Sequence, residues 1–139
     1  MSRDVFIDTS AWYALADAGD TYHSEASRRV RRLIDAGRTL VVSNHAVGET
    51  YTLLRVRLGS MAALEFLQRL RGSAYTRRVF VSESWELEAE GLLAQYADQD
   101  LSYVDATSFT VMRHARIREA LAFDHHFAVL GFVLIGDDG

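Results

Sequence analysis

Asp8, Glu49, Asp105 and Asp124 are the residues whose type and placement could do chemistry together, with Asp100 near enough in sequence to Asp105 to join or flank them. Carboxylates gathered in one place repel one another, so one keeps its proton unless a cation lies among them. An all-oxygen donor set suits a hard ion such as Mg²⁺, which takes one or two carboxylates, keeps several waters and adds a substrate phosphate. Such a site supports in-line hydrolysis of a phosphodiester, with a metal-oriented water and neutralised charge on the attacking and leaving oxygens. Each acid also has a structural reading. Asp8, ahead of Thr9 and Ser10, can cap a helix; Asp105 can face a helix dipole; Glu49 can sit exposed on a helix.

The elements that would position these acids alternate along the chain. Val5-Phe6-Ile7 reads as a short buried strand that stops at Asp8, followed by a helix from near Ser10 to before Gly19. Asp20 or Thr21 is placed to cap a second helix that carries Ala26, Val30, Leu33 and Ile34 and stops at Gly37. Leu40-Val41-Val42 is the next strand, with Ser43 or Asn44 capping a helix that runs to Gly59; Ser60 then caps another that ends at Gly72. A strand at Val79-Phe80-Val81, a helix opened by Ser84, a helix over 103–115, a strand over 120–123, a turn or short helix over 124–129 and a closing strand over 132–135 complete the reading. This alternation predicts an α/β fold, a mostly parallel central sheet with helices on both sides. In such sheets ligands bind beyond the carboxyl ends of the strands. Asp8 and Asp124 directly follow strands, and Glu49 and Asp105 lie early in helices that face the same edge, so the topology can bring all four together.

Bulk composition bounds the rest. At 139 residues, 49% hydrophobic and 24% charged, the chain fits one folded domain over 1–139 with no linker, repeat or low-complexity segment. It contains no cysteine, which excludes disulfides, thiolate metal sites and cysteine nucleophiles. The N-terminus is too polar for a secretory signal and no apolar run suits a membrane span, so a soluble cytoplasmic protein without a membrane partner is expected. Net charge is −4, yet all 15 basic residues are arginine, with clusters at Arg28 to Arg32, Arg69 to Arg78 and Arg113 to Arg118. Arginine suits phosphate contacts, although solvated helix faces and a compositional bias account better for any one cluster.

Four segments in order carry a resemblance. FIDTSAWYAL, SNHAVGETYTLL, DLSYVDATSF and AFDHHF, spanning nearly the whole chain from residue 5 to 135, resemble the acidic motifs of the PIN-domain nucleases, and among them the VapC-type toxins of toxin–antitoxin pairs. The resemblance implies a three-layer α/β/α sandwich and Mg²⁺- or Mn²⁺-dependent endonucleolytic cleavage of RNA. It makes Asp8 and Asp105 the main metal ligands, Asp124 the completion of the acidic ring, and Glu49 a ligand to a second ion or the residue that positions water. Ser10 or Thr9 would hydrogen-bond a carboxylate or the scissile phosphate, or simply cap the helix. His125 and His126 read as structural or substrate-edge residues rather than ligands. The family also implies a homodimer and a small antitoxin whose C-terminal segment covers the acidic groove, placing an arginine among the carboxylates.

Four rivals weigh differently. A receiver domain needs a lysine, and the chain has none. A haloacid-dehalogenase-type phosphatase needs a second aspartate two residues after the first, where Ser10 stands. A non-catalytic RNA- or protein-binding module would not need the complete acid set. An RNA-processing nuclease outside any toxin pair shares every motif and is separated only by genetic context.

Overall fold

The computed structural model describes residues 3–136. Strand β1 (Asp4–Ile7) leads to α1 (Thr9–Ala16) and α2 (His23–Asp35), and β2 (Thr39–Ser43) to α3 (Asn44–Leu58) and α4 (Ser60–Gly72). Strand β3 (Thr76–Val79) is followed by α5 (Glu83–Gln95) and α6 (Tyr103–Ala115), then β4 (Glu119–Leu121), α7 (His126–Val129) and β5 (Val133–Leu134). The strands form one sheet in the order β3-β2-β1-β4-β5, and every pairing is parallel.

Strand periodicity sorts the sheet's side chains into two cores. Val5, Ile7, Leu40 and Val42 pack on one face against apolar residues of α1 to α4, including Ala11, Leu33, Leu54 and Phe66. The intervening Phe6 and Val41 point the other way, into a cluster with Ala89, Leu92, Phe109, Met112 and Phe127 from α5, α6 and α7. A period of two puts consecutive residues on opposite faces, so both faces of the inner strands are covered. This is the expected three-layer α/β/α sandwich, with a sheet that is wholly parallel.

Several boundaries differ from those read in the sequence. The third strand lies at Thr76–Val79 rather than 79–81: its register against β2 runs from Leu40↔Thr76 to Ser43↔Val79, and the ladder stops where the Asn44 side chain accepts the Val81 N–H at 2.9 Å. As an edge strand it tolerates Arg77, whose guanidinium reaches Asp4 at 2.5 Å. Helix α2 starts after Tyr22, not at Asp20 or Thr21, because the Asp20 side chain closes a turn on the Tyr22 N–H. Gly59 at φ +100° takes the N-cap of α4 expected for Ser60, a conformation that lets α3 turn into α4 with no loop. Ser82, rather than Ser84, caps α5 through the Trp85 N–H. The fourth strand ends at Leu121, so Asp124 follows it across a short bend rather than directly, and the closing strand shrinks to Val133–Leu134.

Candidate active site

Parallel topology decides which residues meet. Strands β1, β2 and β4 all end at one edge of the sheet, and α6, which runs back to the start of β4, has its N-terminus at that edge too. The rings of His45, early in α3, and Tyr103, first in α6, confirm the approach with centroids 5.8 Å apart. Asp8, Glu49, Asp105 and Asp124 all line one cleft there, of about 460 Å³, together with Thr9, Ser10 and Asp100. Every acid expected at the site is therefore present in it, including the exposed Asp100.

Local structure fixes each group. Asp8 is the N-cap of α1: its Oδ2 accepts from the Ser10 N–H at 3.2 Å and the Ser10 hydroxyl at 2.7 Å. The same hydroxyl accepts the Phe123 N–H at 3.0 Å, which ties the segment after β4 to the start of α1. Ser10 thus organises the site rather than facing it freely. Thr9 is buried and its Oγ1 has no hydrogen-bond partner. Asp105 belongs to a capping box on α6: its N–H donates to Ser102 Oγ and its Oδ2 accepts the Ser102 N–H, both at 3.0 Å. The cap reading of Asp8 is correct, Asp105 stands in the first turn of its helix as the dipole reading expected, and neither position conflicts with lining the cleft. Asp124 closes a turn by accepting the His126 N–H on Oδ1 at 2.8 Å. Glu49 is half-buried in the second turn of α3.

Electrostatics set two acids apart. Burial pushes the Asp8 carboxyl up to about 6, the Ser10 hydrogen bonds pull the other way, and the charge of Asp105 adds to the rise. Asp105 is also raised, by burial first and by Asp124, against the opposing pull of Ser102 and His126. Both are among the buried polar residues of the protein, with Asp8 only 4% exposed. This is the signature of a site short of positive charge. His126 stands beside these acids: its Nδ1 lies 2.7 Å from Asp124 Oδ1 and 3.7 Å from Asp105 Oδ2. The Nδ1 nevertheless has no well-directed hydrogen bond. Among the described residues, Asp124, His125 and His126 form a group whose ligand atoms lie within 4.8 Å of one another. Oxygen donors of raised proton affinity, an undirected imidazole nitrogen and an unpartnered hydroxyl together fit a hard divalent cation.

Several other lining residues were not singled out in the sequence. Arg57 lies over the Tyr13 ring, 4.9 Å from its centroid, and brings a cation to the cleft. Glu49, Leu53 and Arg57 all line the cleft and are spaced by four residues, so the stripe was there to be found. Tyr22 and Phe123 also line it, with stacked rings 4.5 Å apart. Only the tertiary contact reveals that pair, because 101 positions of sequence separate one ring from the other (123 − 22).

The fold and the site define the class, and the chain belongs to the PIN-domain family, whose pattern it matches over residues 5–133. It is 42% identical over 131 residues to the 23S rRNA-specific endonuclease VapC20 of Mycobacterium tuberculosis, covering 93% of this chain and 95% of that protein. A second M. tuberculosis relative, ribonuclease VapC26, is 32% identical over 127 residues, covering 91% of each. The crystal structure of VapC20, described as a sarcin–ricin loop cleaving toxin, superposes with a TM-score of 0.82 at 40% identity, covering 93% of this chain and 96% of that one. The chain is thus a VapC-type member of the family, and its relatives are nucleases.

Proposed function

We propose that this protein is a divalent-metal-dependent endoribonuclease, the toxin of a toxin–antitoxin pair, and that its substrate is 23S rRNA at the sarcin–ricin loop. The observation that carries the nuclease reading is the convergence of Asp8, Glu49, Asp105 and Asp124 on one cleft at the carboxyl edge of the sheet. The rRNA substrate is carried over from VapC20 on 42% identity across almost the full length of both chains.

In this reading one folded domain over 1–139 does the work. Asp8 and Asp105 hold the metal directly or through water, Asp124 completes the donor set with His126 beside it, and Glu49 holds a second ion or orients the attacking water. Mg²⁺ or Mn²⁺, when bound, supplies an acidified water and neutralises charge on the phosphate. Ser10 keeps Asp8 in place, and Thr9 lines the same cleft with its hydroxyl buried beside the acids. Arg57 faces the RNA backbone across the cleft. An antitoxin segment bearing an arginine would compensate the same excess of carboxylate and so inhibit. We place the protein in the cytoplasm as a homodimer; no described helix is long and apolar enough to cross a membrane.

The test is cleavage of a hairpin RNA with the sarcin–ricin loop sequence, with and without Mn²⁺ or Mg²⁺, by wild type and Asp8→Asn. Metal-dependent cutting at one position, lost in the variant, is expected. Equal cutting by both proteins would remove Asp8 from its role, and cutting that resists a chelator would remove the metal.

A further inference from the structure

We propose that Tyr22, backed by Phe123, is a stacking platform for one unpaired nucleobase of the RNA, beside the acids. This rests on reading the cleft as a ribonuclease site and adds a base-recognition subsite to it. The two rings are nearly parallel, with centroids 4.5 Å apart and planes 8° from each other. Phe123 is held from several directions. The Arg29 guanidinium sits over its ring at 5.5 Å, and Arg29 is itself tied to Glu25 at 2.6 Å and to the Ile135 carbonyl at 3.1 Å. The Phe123 N–H donates to Ser10 Oγ, which in turn donates to Asp8 Oδ2. Two hydrogen bonds therefore connect the platform to the carboxylate at the centre of the site, and its distance from the reacting phosphate is set by the fold.

Tyr22 itself is 45% exposed although it lines the cleft. With Phe123 stacked on one side, nearly half of the residue is still open to solvent. It is not needed as a helix cap: Tyr22 is the N-cap residue of α2 with no side-chain cap bond, and its backbone N–H is satisfied by Asp20. A flat aromatic surface in such a place suits a splayed base, because every base has a π-face and single-stranded RNA is read by stacking on aromatic side chains. The charge balance favours this source of affinity. A net charge of −4 and a cleft lined by acids repel phosphates, whereas stacking does not depend on the sign of the field.

The experiment uses the same hairpin RNA, with an abasic residue placed in turn at each loop position, and steady-state cleavage by wild type, Tyr22→Ala, Tyr22→Phe and Tyr22→Trp. Tyr22→Ala should raise KM roughly ten-fold, the loss of one base–aromatic stack, with kcat nearly unchanged; Phe and Trp should restore KM. At one loop position the abasic RNA should cost wild type the same roughly ten-fold and cost Tyr22→Ala nothing further, a coupling that a purely structural role for the ring would not produce. Metal-dependent cleavage with Tyr22→Ala equal to wild type, or with no loop position coupled to it, overturns the platform and leaves the nuclease reading standing. Wild type that cuts no RNA with either metal overturns both.

Discussion

Asp8 caps α1 and lines the cleft with the same carboxyl group, and the two duties pull its proton affinity in opposite directions. Hydrogen bonds from Ser10 favour the charge, while burial and Asp105 oppose it and prevail, taking the group from 3.8 to about 6. A carboxyl raised in the folded state is better protonated there than in the unfolded chain, so stability is greatest below the unfolded value and falls as pH climbs from about 4 to 6. In metal-free protein Asp8→Asn should remove that penalty. Urea unfolding should find the variant increasingly more stable than wild type over this range, by at most roughly 3 kcal/mol above it. A difference independent of pH would contradict the assigned cause. Because a metal displaces the same proton, metal affinity of the wild type should rise through the same window and then level off. His126, beside both Asp105 and Asp124, should when changed to Ala weaken metal binding about ten-fold or more, as isothermal titration would read.

Short secondary elements hold these side chains in place through their caps. Ser102 and Asp105 bond reciprocally at the start of α6, so the residue that stiffens the helix end also orients a candidate ligand. Ser102→Ala should cost about 1 kcal/mol in chemical denaturation and weaken metal binding as well, because the Asp105 N–H then loses its acceptor and the carboxylate is held only by the backbone N–H of residue 102. A cap with no link to the site makes the control: Ser82→Ala on α5, whose hydroxyl receives the Trp85 N–H, should cost a similar amount of stability and leave metal affinity unchanged. Gly59 is a different kind of constraint. At φ +100° with open space around a would-be Cβ, Gly59→Ala should destabilise through backbone strain alone, by about 1 kcal/mol or more. The acids that sequence spacing suggested share an edge because three parallel strands end there and α6 begins there, which a reading of helix and strand order could foresee.

Across the whole molecule, a divalent ion that binds the folded state and not the unfolded chain raises stability by mass action. Mg²⁺ or Mn²⁺ at a hundred times its dissociation constant should raise the melting temperature of wild type by several degrees, and Asp8→Asn should show little of that shift. A wild-type melting temperature indifferent to both metals would count against the site. The global charge of −4 makes a further difference legible. If stacking and metal-bridged contacts hold the RNA, affinity should fall less steeply with added monovalent salt than it does for basic RNA-binding proteins.

The amino-acid sequence alone determined the layering and the acid set. Alternating strand and helix periodicities depend on near neighbours, so α/β order and the three layers were readable, as was α6 to the residue, while the four ordered acidic motifs were legible through their resemblance to the family. Strand ends and caps were less so. Whether Ser82 or Ser84, or Gly59 or Ser60, starts a helix turns on small differences that packing decides, and β3 settled at Thr76–Val79 because its partner β2 fixed the register. Tertiary structure alone decided how the site is charged and what stands beside the acids. The raised proton affinity of Asp8 comes from burial and from Asp105, far away in sequence. The placement of His126 between two carboxylates and the stacking of Tyr22 on Phe123 likewise arise between segments that meet only when the sheet assembles.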